Sequence, residues 1–282
     1  TALLFNVELL LAGNKASEAI ELFKENNKSD LLEKASPQVK ALLLCKFAQA
    51  LAYATEKQPV AIDSAIAAAI ESVDMVYSSR ERMICIETLI QVLATLKRFD
   101  DVRIRLASLI EYAPNSSYVA NILRKVARNY QAEAEYEQAY WIYQLYLHSF
   151  SNDEFEYDVM LDSGDCLVEF GRLHEAALQF KRAGEISEDI GKKNLANYKA
   201  GVAYYKSERY MLAADCFASI VALENGQKDI LIASQLYHAK AIEKFDTGSA
   251  KLLYKQLANS DEIELKEPSL IAIAALCIDD GE

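Results

Sequence analysis

A pattern of small and aromatic residues returns every 37 positions along this chain, and that period constrains the fold more than any other feature. The stretch Tyr130 to Tyr143 has counterparts in Leu167 to Phe180 and in Tyr204 to Phe217, so that Ala139, Ala176 and Ala213 fall at spacings of 37 and 37. One period forward stand Ala250 and Tyr254, and one period back stand Val102 and Leu106. Five units therefore share a register. Upstream the pattern loosens: Ala19 with Phe23 repeats the alanine-to-aromatic step, and Ala65 with Ala69 occupies it in a unit whose turn, Thr55 to Pro59, reads as lengthened.

Each unit reads as two helices. In the fourth, Ile122, Leu123, Val126, Ala127 and Tyr130 have the spacing of one apolar helical face, and Ala139, Ile142, Tyr143 and Tyr146 have it again after the link Gln131 to Glu135. The later links run through Phe170-Gly171-Arg172 and Ser207-Glu208-Arg209, and longer connections between units are expected at Ser151 to Glu154 and Ser187 to Lys192. Composition agrees. The 282 residues hold only 9 glycines and 4 prolines, which excludes turn-rich β folds, and 52% are hydrophobic, enough for a large core. Ala127, Gly164 and Gly201 in the first helices and Ala139, Ala176 and Ala213 in the second allow close backbone approach, with Tyr143, Phe180 or Phe217 filling the space beyond.

These residues resemble the tetratricopeptide repeat, TPR, a family with a small residue and then an aromatic in its first helix and alanine followed by an aromatic in its second. Gly201 and Tyr204 match the first pair, Ala213 and Phe217 the second, and Pro114 the helix-ending proline. The family's early tryptophan is replaced by Ile86, Leu123, Met160 and Asn197, and the period exceeds the usual one of about 34. The resemblance implies an all-α solenoid of about seven stacked helix-turn-helix repeats wound into a right-handed superhelix. Residues 1–79 would form two divergent repeats, 80–260 five in-register repeats, and 261–282 a capping helix and tail.

In such an array the first helices line a groove that binds a peptide or a segment of another protein, and the resemblance makes the chain a non-catalytic interaction scaffold. The register assigns that stripe to Glu87, Gln91 and Thr95, to Asn121, Arg124, Arg128 and Gln131, to Leu161, Asp165 and Glu169, and to Tyr198, Val202 and Tyr205. Arg124 and Arg128, four apart on one helix, read as an anion cradle or as partners of Asp165 and Glu169. Tyr198 and Tyr205 offer flat contact area, or else pack in the core. The set of lysines and asparagines by which some relatives hold a terminal carboxylate is absent as a set.

Nothing points to chemistry. Phosphate-binding loops, dinucleotide fingerprints, zinc-protease helices and nucleophile elbows are all missing, so no catalytic residue, cofactor or metal ligand is assigned. His148, His174 and His238 fall at different repeat positions, His174 in an inter-helix turn and His238 at the small-residue packing site. Asp162, Asp165 and Glu169 read as a solvated groove wall. A net charge of −12 disfavours nucleic acid, and no apolar run is long enough for direct membrane insertion. Cys45, Cys85, Cys166, Cys216 and Cys277 are widely spaced and read as buried and inert, which tilts the compartment towards the reducing cytoplasm. The period is also similar to that of bacterial cell-envelope repeat proteins, which keeps the envelope open as an alternative. An alternative function is a structural or self-association segment of a larger protein, because the first helix starts with Ala2, Leu3, Leu4 and Phe5 and the last carries Leu270, Ile271, Ile273, Leu276 and Ile278. Those faces suit a homo-oligomer formed through the terminal helices.

Overall fold

A computed structural model describes residues 2–27, 35–54, 61–76, 79–222 and 227–279. Among these residues there are fifteen α-helices and no strand. They alternate as first and second members of pairs: α1 Ala2–Ala12 and α2 Ala16–Asn27, α3 Pro37–Ala54 and α4 Ala61–Asp74, α5 Ser79–Thr95 and α6 Phe99–Tyr112, α7 Ser117–Ala132 and α8 Tyr136–Ser149. Then come α9 Glu156–Glu169 and α10 Leu173–Ile186, α11 Ile190–Lys206 and α12 Tyr210–Val221, and α13 Lys228–Glu243 and α14 Thr247–Ala258. The fifteenth helix, α15 Ile263–Asp279, has no second member. The chain divides into two compact units, residues 1–130 and 131–282. The lengthened turn expected at Thr55 to Pro59 lies outside the described residues.

In five of the pairs the turn between the two helices is three residues long and is built the same way. Its middle residue has a positive φ: 56° at Asn14, 55° at Lys97, 60° at Ala134, 73° at Gly171 and 61° at Glu208. The last four are 37 residues apart. This left-handed step turns two amides back onto the helix just ended. In the first unit Lys97 N–H donates to the Ala94 carbonyl and Arg98 N–H to that of Leu93, both at 2.9 Å. In the second, Gly171 donates to Val168 at 3.0 Å and Arg172 to Leu167 at 2.9 Å, and Glu208 and Arg209 repeat the pattern on Tyr205 and Tyr204. Carbonyls left open at the helix end are thereby satisfied. The third turn residue also starts the next helix, since the carbonyls of Arg98, Arg172 and Arg209 accept the N–H of Val102, Ala176 and Ala213 at 3.0 Å. The small residue of the repeat is thus the first intrahelical donor. Before α14 the device changes: Asp246 caps the helix with its side chain, accepting from Ser249 N–H at 3.0 Å.

Two links are shorter than the sequence reading. α7 continues through Ala132, so its link is residues 133–135 only, and α11 starts at Ile190 because the Asp189 side chain caps it, accepting from Lys192 N–H at 2.8 Å. His174 is likewise in the first turn of α10 and not in the turn before it.

Packing within a pair follows from one exchange of volume. Ala139, Ala176, Ala213 and Ala250 are fully buried, and so are Tyr143, Phe180, Phe217 and Tyr254 four residues on. A Cβ added to Gly164 would lie 2.4 Å from the Phe180 ring, and one added to Gly201 would lie 2.7 Å from that of Phe217. The Phe180 and Phe217 rings therefore occupy the places of the side chains that Gly164 and Gly201 lack. Where the ring carries a hydroxyl it reaches the end of its partner helix: Tyr143 donates to Gln131 Oε1 and Tyr254 to Glu243 Oε2, both at 2.7 Å.

Two substitutions test this account. Gly201→Ala gains helix propensity yet should destabilise the second unit by about 1–3 kcal/mol, because the methyl meets the Phe217 ring. Glu208→Gly should raise the melting temperature, relieving about 1 kcal/mol of left-handed strain that glycine does not incur. Thermal unfolding followed by circular dichroism measures both, and a Gly201→Ala chain as stable as the wild type would refute the packing argument.

Candidate functional site

The residues assigned to the groove stripe fall on the first helices of their pairs, and the two units place them in different chemistry. In the first unit Glu87 and Gln91 lie a turn apart on α5, with Gln91 Nε2 donating to Glu87 Oε1 at 2.9 Å. Gln49 on α3 donates to Gln91 Oε1 at 3.2 Å. From α7, Tyr118 donates to Glu87 Oε2 at 2.6 Å and Lys125 Nζ to Glu87 Oε1 at 2.8 Å. A row of polar side chains thus crosses three successive first helices. Farther along, Thr95 turns its hydroxyl onto the Gln91 carbonyl, and Arg124 Nη1 donates to Asn121 Oδ1 at 3.3 Å. Asn121 and Arg128 are exposed and Arg124 is half-buried.

Glu87 is the electrostatic centre of this row. Partial burial pushes its carboxyl up, but hydrogen bonds from Lys125 and Tyr118 outweigh burial and hold it below the usual carboxylate range. Tyr118 is pushed up by burial and by the same hydrogen bond. A carboxyl depressed in the folded state stabilises the fold above the unfolded pKa and loses that contribution as the pH falls through the folded value. Glu87→Gln should therefore cost about 1 kcal/mol near neutral pH and nothing at pH values below the carboxylate range. Urea melts of both chains at pH 7 and pH 3 check this; a gap that persists at the lower pH would contradict it.

In the second unit the stripe is partly aromatic. Gln131 accepts from Tyr143, as described above, and Glu169 is exposed. Asp165 on α9 is clasped by Lys199 of α11, whose Nζ lies 2.7 Å from each carboxylate oxygen and 5.3 Å from the Phe180 ring centroid. Tyr198 and Tyr205 stand seven residues apart on α11 and meet Tyr237 of α13 edge to face, at ring distances of 6.2 and 5.9 Å. Tyr237 also stacks on buried Phe217 at 5.4 Å, and Tyr205 contacts Tyr210 at 5.4 Å. Burial pushes the hydroxyls of Tyr198 and Tyr205 up. Lys240 Nζ lies 5.4 Å from the Tyr237 ring centroid. Leu161 departs from its expected place: it is buried against the α9–α11 core, and Val202 packs on the same cluster.

Sequence reading missed Gln49, Tyr118, Lys125, Lys199 and Tyr237. Two of them were legible in the spacing. Lys125 follows Glu87 by 38 residues, one period plus one, and Lys199 follows Asp165 by 34, one period less a turn. On stacked first helices such offsets place two side chains at one level. Tyr118 and Tyr237 had no such signal, because an aromatic at helical spacing belongs to the core as readily as to a surface.

His238, at the position that glycine fills in the two preceding units, is half-buried and lines a cleft of about 290 Å³ with Gln235, Gln256 and Leu265. Burial lowers its pKa. Among the described residues no helix is long and apolar enough to cross a membrane, and no three His, Cys, Asp or Glu side chains converge as metal donors.

No protein-family model and no curated protein matches the chain. Solved structures resemble it at low identity. The C-terminal part of a TPR repeat-containing protein from Cytophaga hutchinsonii is 14% identical with a TM-score of 0.49, over 96% of this chain and 99% of that one. PilF of Pseudomonas aeruginosa is 14% identical with a TM-score of 0.39, over 84% and 100%. The apo form of the quorum sensor NprR from B. thuringiensis is 12% identical with a TM-score of 0.40, over 99% and 82%. The fold itself rests on the coordinates: paired helices joined by short turns, packed in chain order with small residues facing rings, make an all-α array of TPR-like repeats.

Proposed function

We propose that the chain is a non-catalytic scaffold that binds a peptide or protein segment on the faces of its first helices, with Glu87, Gln91, Asn121, Arg124 and Arg128 as candidates in the first unit and Gln131, Asp165, Glu169, Tyr198 and Tyr205 in the second. The observation that carries this reading is the tyrosine row Tyr198, Tyr205 and Tyr237, whose rings are only half-buried although each packs on the core. Rigid aromatic rings with one wet edge supply contact area at little entropic cost and dominate many interfaces. The polar row on α3, α5 and α7 supplies hydrogen-bonding groups and the two arginines, which suit a carboxylate-bearing segment.

The test uses peptides selected from a random displayed library on the folded chain. Tyr198→Ala and Tyr205→Ala should each weaken the selected peptides about tenfold, the loss typical of a central interface residue. Arg124→Glu with Arg128→Glu should weaken acidic peptides and spare neutral ones. Circular dichroism melts of each variant separate lost contact from lost folding. Unchanged affinity in all of them would remove these faces from the function.

A second reading is self-association through the ends. On α15 Leu270, Ile271 and Ile278 are exposed, Ile271 to 71% and Ile278 to 76%, and on α1 Phe5 and Leu9 are exposed above 60%. Apolar end faces of a repeat array need a cover. Light scattering would give a concentration-dependent dimer that Ile271→Asp with Ile278→Asp returns to monomer; a monomer at every concentration excludes this reading.

A further inference from the structure

Cys45 and Cys85 are forty residues apart in sequence, and the fold brings them together. Cys45 lies on α3 and Cys85 on α5, fully buried in one small cluster with Ala41 and Val76. The two thiols thus share one four-residue buried cluster that spans the α3–α5 seam. The hydroxyls beside them are already engaged: Ser72 donates to the Ala69 carbonyl at 2.7 Å and Thr88 to that of Ile84 at 3.0 Å. Ser72 Oγ in turn accepts from Cys45 Sγ at 3.3 Å. With both hydroxyls engaged and Ala41, Val73, Met75 and Val76 making up the rest of the cluster, each sulfur has the other as its reactive neighbour.

We propose that Cys45 and Cys85 are a redox pair that closes into a reversible disulfide across the α3–α5 seam, with Cys45 oxidised first and Cys85 as the resolving thiol. The oxidant class is a hydroperoxide. The Cys45 thiolate attacks one peroxide oxygen, the O–O bond breaks, and hydroxide leaves to give a sulfenic acid. The Cys85 sulfur then attacks the Cys45 sulfur; the S–S bond forms, the S–O bond breaks, and the departing hydroxide leaves as water with the thiol proton. Two thiols and one hydrogen peroxide thus give one disulfide and two waters. The proximity of Cys85 draws the Cys45 thiol down and that of Cys45 pushes the Cys85 thiol up, which favours Cys45 as the attacking thiolate. Cys166 and Cys216 differ, pushed up by burial to about 12 and about 11. Because both sulfurs of the pair are buried, peroxide reaches them through local opening of the seam. One helical turn along α3 from Cys45 stands Gln49, which bridges to Gln91 on α5. The disulfide would tie together the two first helices that carry this part of the polar row.

The experiment treats the full, folded chain with hydrogen peroxide and follows each thiol by alkylation and peptide mapping. Expected is loss of two of the five thiols, a Cys45–Cys85 cross-linked peptide, and recovery of all five with dithiothreitol. Loss at this pair should run about tenfold faster than at Cys166 or Cys216. Cys85→Ala should leave a dimedone-reactive sulfenic acid at Cys45 and no cross-link. The wild-type map stands by itself if that variant does not fold. Equal loss at all buried thiols, oxidation of Cys45 without cross-linking in the wild type, or a cross-link that forms only in urea would each overturn the proposal.

Discussion

The α9–α10 and α11–α12 pairs can close only because the first helix lacks the side chain that the second helix's ring would strike. Gly164 against Phe180 and Gly201 against Phe217 are the sharpest cases, since even a methyl group would fall inside the ring. The rest of the pair geometry depends on that contact. Close approach over the whole length of two antiparallel helices requires a short turn, and a three-residue turn has room for one left-handed residue and two amides folded back. The fully buried alanines that start the second helices belong to the same arrangement, because their amides take the first helical hydrogen bond while their methyls leave space.

The turns show which force prevails when local preference and packing disagree. A left-handed backbone suits glycine, yet Lys97, Ala134 and Glu208 adopt it at a cost of about 1–2 kcal/mol each. The hydrogen bonds that close the helix end, together with the buried rings beyond the turn, outweigh that cost. Dictated by packing, the turn has the same form whether its middle residue is glycine, alanine, lysine or glutamate. Before α14, where Asp246 caps the helix with its own carboxylate, side-chain chemistry replaces the left-handed step.

Second helices present one face to the first helix of the pair and the first helices pack on both sides, which leaves each first helix a narrow stripe. What fills that stripe differs between the units. In the first it is a hydrogen-bonded row from Gln49 through Gln91 and Glu87 to Tyr118 and Lys125, in which the one carboxylate is neutralised by its neighbours. In the second it is the Tyr198 and Tyr237 rings packed on Phe217, with Tyr205 edge to face on Tyr237, beside an ion pair of Asp165 and Lys199. Two such surfaces suit different ligand chemistry, one directional and polar, the other broad and apolar with hydroxyl edges.

The helical class, the pairing of helices and the burial of Ala139, Ala176, Ala213 and their aromatic partners were legible in the sequence, because a 37-residue period in small and large residues admits few packings. The positions of the turns at 170–172 and 207–209 were legible too, but not their form: Gly171 permits a left-handed backbone, whereas Ala134 and Glu208 carry no local mark of one. Register placed Glu87, Gln91, Tyr198 and Tyr205 on the first helices and its offsets pointed to Lys125, but Tyr118 and Tyr237 carried no such signal, because an aromatic at helical spacing suits core and surface alike. It also placed Leu161 at the surface, although the neighbouring helix buries it. Cys45 and Cys85 make the same point most strongly. Periodicity along one chain determines which face of a helix turns inward, and only the stacking of helices in space determines which inward groups touch.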